Sequence, residues 1–224
     1  MKIKYFGHSC FYIEDKIKIL IDPFIPDTQK LICPIDVVSD IILVSHDHRD
    51  HLGDTIDIAK TNGSKVVAIA ELAAEISKFG ISVISGNVGG TVEYQGVKIT
   101  FVKADHSCNK GVAVGFVIHL NDNVIYFAGD TSVFLDMKII KDLYNPNIAL
   151  LPIGGVYTMD PKQAIYALKL LEPKIVIPMH YNTFENLTGK PKDLEVLIKK
   201  ENLQITQITL NLGQEINLWF ATIV

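Results

Sequence analysis

Histidine and aspartate crowd one short segment, His46-Asp47-His48-Arg49-Asp50-His51. Imidazole and carboxylate together are the donor mixture that suits borderline divalent metals. Positions two apart fall on opposite sides of a helix, and a straight strand turns His51 away from His46, His48 and Asp50, so the four are expected to converge in a loop. Three histidines and one aspartate already exceed the three protein ligands of a catalytic zinc, so two ions are expected. The remaining donors must come from distant segments, and three candidates follow apolar runs: His106, Asp130 in Gly129-Asp130-Thr131, and His180 after Pro178-Met179. Taken singly, each has a structural reading as well. His106 and His180 suit solvated histidines, and Asp130 suits the cap of a helix starting near Val133. It is the joint occurrence that favours the metal.

Two further residues carry their own readings. Asp22, in Leu20-Ile21-Asp22-Pro23, ends a strand and either holds a ligand histidine from behind or forms the turn before Pro23. His119 lies inside a strand, opposite in parity to Val114, Phe116 and Ile118, and reads as a surface residue.

Most of these donors stand where a strand is expected to end, and loops on rigid strand ends are where sites form. Apolar alternation predicts strands over 2–6, 9–14 and 16–21, with turns at Gly7 and Asp15-Lys16, then strands over 41–44 and 65–69. Helices are expected over 53–61 and 70–79, the second closed by Gly80. A second series places strands over 91–94, 97–103, 112–120, 124–128, 148–151 and 174–178. It includes a helix over 161–171 with Asp160 as N-cap and Pro161 in the first position. A helix over 192–201 and strands over 204–210 and 215–220 follow. Two similar halves are implied, joined most weakly at 86–90. No linker composition separates them, so residues 1–224 read as one α/β domain of two mixed sheets with helices outside.

Composition narrows the function classes. The 224 residues are 48% hydrophobic, enough for a continuous core, and the net charge of −4 offers no general attraction to nucleic acid or an anionic membrane. The longest uncharged stretch, 143–159, is broken by Pro146, Pro152, Gly154 and Gly155, so no membrane span is expected. The first residues alternate like a strand rather than forming an apolar signal, and a cytoplasmic location is expected. Cys10, Cys33 and Cys108 are odd in number and far apart, which reads as reduced, partly buried thiols. A catalytic cysteine at Cys10 or Cys108, each two residues from a histidine, is the weaker reading because the histidine cluster explains more.

The order His-x-His-x-Asp-His, then His106, then Gly129-Asp130, then His180 resembles the metallo-β-lactamase superfamily. Gly7-His8-Ser9, Ile21-Asp22-Pro23-Phe24, Pro152-Ile153-Gly154-Gly155 and Tyr157-Thr158-Met159-Asp160 extend the resemblance over nearly the whole chain. They place it near an uncharacterised metal-dependent hydrolase branch similar to ascorbate-phosphate lactonase-like and phospholipase-D-like proteins. The resemblance implies a four-layer αββα sandwich, with His46, His48 and His106 on one metal and Asp50, His51 and His180 on the other. Asp130 would bridge the two. It also implies that His8 is an additional active-site residue, toward a metal, the attacking water or the substrate. Position 48 is not the Glu of the related diiron oxidases, which favours hydrolysis over redox chemistry.

Two metals of this kind direct a metal-bound hydroxide at an ester, lactone or phosphodiester of a small molecule, with Asp50 as proton acceptor and the metals in place of an oxyanion hole. No Gly-x-Ser-x-Gly motif offers a serine route. Zinc is the first expectation, and manganese and iron suit the same donors. Asn109, Lys110, Tyr157, Thr158, Met159 and Asn182 are the candidate substrate contacts, being close in sequence to the donors or in the loop expected at the site. Arg49 is the only arginine, so a phosphate would have to rely on metals and lysines. The rival readings are a metal-dependent ribonuclease and a non-catalytic metal-binding sensor. A homo-oligomer is left open.

Overall fold

A computed structural model of the chain describes residues 1–24 and 37–218. Cys33 and the last two positions of the expected strand 215–220 lie outside the described residues. Strands β1 (Lys2–Gly7), β2 (Cys10–Glu14) and β3 (Lys18–Ile21) form an antiparallel meander. To its edge β4 (Ile41–Leu43), β5 (Lys65–Ile69) and β6 (Val83–Gly86) add in parallel, with α1 (Arg49–Leu52), α2 (Thr55–Asn62) and α3 (Ala70–Ser77) in the connections.

The chain then passes to a second sheet. There β7 (Thr91–Tyr94), β8 (Val97–Lys103), β9 (Val114–Leu120) and β10 (Asn123–Phe127) run antiparallel. Strands β11 (Ile148–Pro152), β12 (Ile175–Met179) and β13 (Thr206–Gln207) follow in parallel, interleaved with α4 (Met137–Tyr144), α5 (Pro161–Leu171) and α6 (Pro191–Lys200). Strand β14 (Glu215–Asn217) returns to pair with β1, giving the orders β14-β1-β2-β3-β4-β5-β6 and β13-β12-β11-β10-β9-β8-β7.

The sheets pack face to face, and helices cover both outer faces. One core joins Ile3, Phe11 and Ile13 to Phe101, Phe116 and Phe127 between the sheets and continues under α2 and α3; Phe11 and Phe127 meet edge-on at 6.4 Å. A second core joins Val117, Tyr126 and Leu151 to Ala164, Leu168 and Leu194 of α5 and α6. Strands buried on both faces lose the polar alternation and read as apolar runs, as Val-Gly-Phe-Val-Ile in β9 does. On α5 the 3.6-residue period turns Ala164, Ile165, Leu168 and Leu171 inward. Asp160 caps that helix as expected, accepting from the Gln163 backbone N–H at 2.8 Å ahead of Pro161.

Several expectations are corrected. The metal segment is not all loop: Arg49–Leu52 closes one helical turn, with the N–H groups of His51 and Leu52 donating to the His48 carbonyl at 3.0 and 2.9 Å. Expected halves also differ from the sheets, because β14 leaves the second half of the chain to pair with β1. The expected strand 204–210 reduces to Thr206–Gln207, the one parallel stretch it shares with β12. Val83–Gly86 is a strand that its weak alternation hid, and Gly86 lies where the chain leaves the first sheet. His119 is half-buried under Tyr144 of α4, ring centroids 6.1 Å apart, and is not a bare surface residue.

Candidate metal centre

The chemistry-bearing residues gather where strands end. His8 follows β1, Asp22 follows β3, His46 follows β4, His106 follows β8, Asp130 follows β10 and His180 follows β12. Parallel strands end together at one rim, so residues just past their carboxyl ends meet there. The α1 turn then swings Asp50 and His51 back toward the rim. Gly53 permits this closure: at φ 43° its backbone touches the Pro23 carbonyl so closely that a Cβ would collide with it.

Three groups of donors result, each within 4.8 Å of one another: His46, His48 and His106; His8, Asp50, His51 and His180; and His46, His51 and Asp130. In the first, His48 presents Nδ1, 3.0 Å from His46 Nε2 and 3.3 Å from His106 Nε2. Asp130, a member of the third, stands between the first two groups. Its Oδ2 lies 3.2 Å from His51 Nε2, 3.1 Å from His180 Nε2 and 3.7 Å from His106 Nε2. Of the sequence-predicted ligands His46, His48, Asp50, His51, His106, Asp130 and His180, every one is in this cluster. Asp130 caps no helix, since α4 begins only at Met137.

Buried support lies behind the donors. Asp22 Oδ2 accepts from the Ser45 hydroxyl at 2.6 Å and from His51 Nδ1–H at 2.7 Å, while Oδ1 accepts from the Ser45 N–H at 2.8 Å. With its proton committed to Asp22, the Ser45 oxygen accepts from His46 Nδ1–H at 2.9 Å. Asp22 thus turns the Nε2 lone pairs of both His46 and His51 into the cluster. Of the two readings of Asp22, the structure bears out its hold on a histidine. Ser45 was missed, its only sequence signal being its place before His46. Non-glycine residues at the centre also sit at positive φ, His8 at 52°, Asp22 at 42° and His180 at 57°, a strain typical of functional sites.

A test of fit to metal ions comes from the buried atoms. Among the described residues His51 Nε2, Asp130 Oδ1 and both ring nitrogens of His180 are buried without a hydrogen-bond partner, though such atoms are costly to leave unpaired. A cation held among them satisfies the inward-facing ones, so the residues fit the group. Charge points the same way. Burial alone lowers His51, but the Asp130 and Asp22 carboxylates outweigh it and hold the imidazole well above its ordinary pKa. Burial opposes ionisation of Asp130, yet His51 and His180 hold it well below the carboxylate range. Burial lowers His46 to about 2 and His8 to about 4, keeping both neutral as ligands must be. Asp22 is pushed up by burial, which His51 and Ser45 only partly offset.

Residues 2–180 match the family model of the β-lactamase superfamily domain. A UPF0173 metal-dependent hydrolase of Methanosarcina mazei is 42% identical, over 97% of this chain and 99% of that protein. The chain belongs to the UPF0173 metal-dependent hydrolases. A UPF0173 metal-dependent hydrolase from Nanoarchaeum equitans is 45% identical over 97% of this chain and all of that protein. The solved structure of Igni18, a metallo hydrolase from Ignicoccus hospitalis, superposes with a TM-score of 0.90 at 35% identity, covering 98% of this chain and 99% of that one. The αββα fold implied by the sequence resemblance is the fold found.

In this UPF0173 chain the expected substrate residues divide. Asn109, Lys110, Tyr157 and Asn182 are exposed. The Asn109 N–H donates to Asp47 at 2.8 Å, tying the His106 segment to the metal loop, and Tyr157 OH accepts from Asn186 at 2.9 Å. Met159 is corrected: its side chain is fully buried in the core under α5, and its N–H donates to the Thr131 carbonyl at 3.1 Å. Thr158 is also buried, its hydroxyl turned to the Met159 carbonyl at 3.4 Å. Phe24 and Phe184, not foreseen, flank His8 with ring centroids at 5.7 and 5.3 Å. Cys10 is buried in the core and Cys108 faces the Lys110 carbonyl at 3.8 Å, so neither meets a histidine base. Among the described residues no helix is long and apolar enough to cross a membrane.

Proposed function

We propose that the chain is a single-domain binuclear hydrolase that cleaves an ester, lactone or phosphodiester bond in a small molecule. The observation that carries the reading is Asp130, whose one oxygen reaches donors of both groups, His106 on one side and His51 and His180 on the other. His46, His48 and His106 would hold one ion, Asp50, His51 and His180 the other, with Asp130 between. Zinc is the first expectation, with manganese and iron suiting the same donors. Bound ions supply Lewis acidity toward the scissile group and lower the pKa of water.

The chain's own groups do the rest. Asp50 has a side chain 26% exposed, against none to 3% for His51 and Asp130, so it is the acid of its group open to solvent. Burial raises it, but the His8 bond and the His51 charge reverse that and keep it ionised, able to accept a proton and return it to the leaving oxygen. Asn109, Tyr157 and Asn182, all exposed, are the polar groups that would orient substrate. Lys103 and Lys110 lie 3.7 Å from Asp136 and 3.9 Å from Glu75, so the cations of the His106 segment are partly neutralised. That favours esters and lactones over phosphodiesters.

Metal analysis of protein purified without chelator should give two ions per chain. One or fewer after reconstitution removes the binuclear reading. A panel of lactones, carboxylic esters, bis-aryl phosphodiesters and structured RNA should show metal-dependent turnover on one of the first three. Turnover of RNA alone would make the chain a nuclease, and binding without turnover a sensor.

A further inference from the structure

We propose that His8 is a protein ligand of the Asp50, His51 and His180 group, closing that group so that its ion is the slowly exchanging one and the open coordination lies at the His46, His48 and His106 group. This rests on the two-ion reading above and assigns within it a residue from the first hairpin, 42 positions before Asp50.

The partners of the two His8 ring nitrogens suit a ligand. The Thr183 hydroxyl donates to the Tyr181 carbonyl at 3.3 Å, so its oxygen is free to accept, and it lies 3.0 Å from His8 Nδ1. An Nδ1–H donated to that oxygen leaves Nε2 with the lone pair a ligand needs. Nε2 faces Asp50 Oδ2 at 3.1 Å, in a group whose donor atoms all lie within 4.8 Å of one another. Without an ion Nε2–H donates to that carboxylate; with one, the His8 proton sits on Nδ1 toward Thr183, and Nε2 and Oδ2 are both free to face the cation. The arrangement parallels the Ser45 hydroxyl behind His46, and a hydrogen-bonded second nitrogen is what fixes the tautomer of a metal-bound imidazole.

Position and burial argue against a role toward the substrate. His8 is 1% exposed. Its ring lies 4.0 Å from that of His180 and is walled by the edges of Phe24 and Phe184. Its backbone is held as firmly: the His8 carbonyl, at φ 52°, accepts from the His180 N–H at 2.7 Å and the Tyr5 hydroxyl at 3.1 Å. One short segment thus fixes its own imidazole and that of His180 relative to each other. With Asp130 added, the His8 group offers five protein donors. The other group has three histidines and Asp130, and its His48 and His106 are partly open to solvent. Closed sites hold metal and open ones exchange and react.

The test is release of zinc from the loaded full-length protein to a chromophoric chelator, followed with time. Wild type should lose one ion fast and one slowly. His8→Gln should speed the slow phase by about 100-fold or more and Thr183→Val by roughly tenfold, the range typical of lost ligand support, with the fast phase unchanged in both. Cobalt loading should show an altered visible spectrum in His8→Gln, a readout independent of turnover. If His8→Gln does not fold, Thr183→Val decides, because it keeps every donor and removes only the hydroxyl behind Nδ1. An unchanged slow phase in either folded variant overturns the role of His8. A wild type holding fewer than two ions overturns the two-ion reading itself, so the two failures are distinguishable.

Discussion

The Nδ1 atom of His51 lies 2.7 Å from Oδ2 of Asp22, and the same oxygen accepts from the Ser45 hydroxyl, whose oxygen is left free to orient His46. One buried carboxylate therefore sets the tautomers of histidines in both donor groups. Asp22→Asn preserves the shape and tolerates the positive φ but cannot accept as strongly from both partners. It is expected to weaken binding of both ions by about 10–100-fold, measured by competition with a chelator of known affinity. Ser45→Ala should weaken chiefly the ion held by His46. Equal losses at both ions in Ser45→Ala would contradict the relay.

Asp130→Asn tests the shared position. It keeps the side-chain volume while removing the charge that His51, His180 and His106 face. Turnover should fall by more than the roughly 100-fold typical of a supporting partner, and both ions should loosen. Far-UV circular dichroism should stay near wild type. Wild-type activity in this variant removes Asp130 from the centre.

The metal-stripped chain should have a distinct pH profile. Its raised His51 contributes stability that is complete below the ordinary imidazole pKa of about 6.5 and is lost as pH rises through the raised value. Asp130, held low, contributes stability already present at neutral pH and lost only as acid protonates it. Urea midpoints of stripped protein should therefore fall on the alkaline side of neutrality. Metal-loaded protein, in which His51 must be deprotonated, should not show that fall. A midpoint rising through the same range in stripped protein refutes the assignment.

Gly154→Ala probes the support of His180 by volume alone. A Cβ there collides with the His180 carbonyl and comes within 3.1 Å of its Nδ1. The variant is expected to release the His180-held ion faster while the His46 group keeps its affinity. Zinc release kinetics distinguish this from general unfolding, which frees both ions together.

Met159 separates packing from recognition. Because its side chain is fully buried, Met159→Ala should cost about 2–5 kcal/mol of stability in urea denaturation. Met159→Leu should cost less than about 1.5 kcal/mol and leave KM unchanged. A large KM change in a stable Met159→Leu variant would return the residue to the substrate site.

Donor chemistry was readable because it depends on residue type and on strand ends. His46 to His51, His106, Asp130 and His180 each follow an apolar run, and apolar runs are local. Capping of α5 by Asp160 was equally local. The missed pieces were those whose cause lies far away in the chain. Val83–Gly86 becomes a strand only by pairing with β5, and β14 is placed by β1 at the other end of the chain. Met159, beside an exposed tyrosine in sequence, is turned inward by the packing of α5 on the second sheet.

The sequence by itself determined that imidazoles and carboxylates in this order would bind metal, since that follows from the atoms the side chains carry. Tertiary structure alone decided which nitrogen each imidazole presents. A histidine ring has two nitrogens, and the one that keeps its lone pair is set by the hydrogen-bond partner on the other. For His8 the group facing Nδ1 is Thr183, 175 positions away, brought beside it only when the two sheets meet.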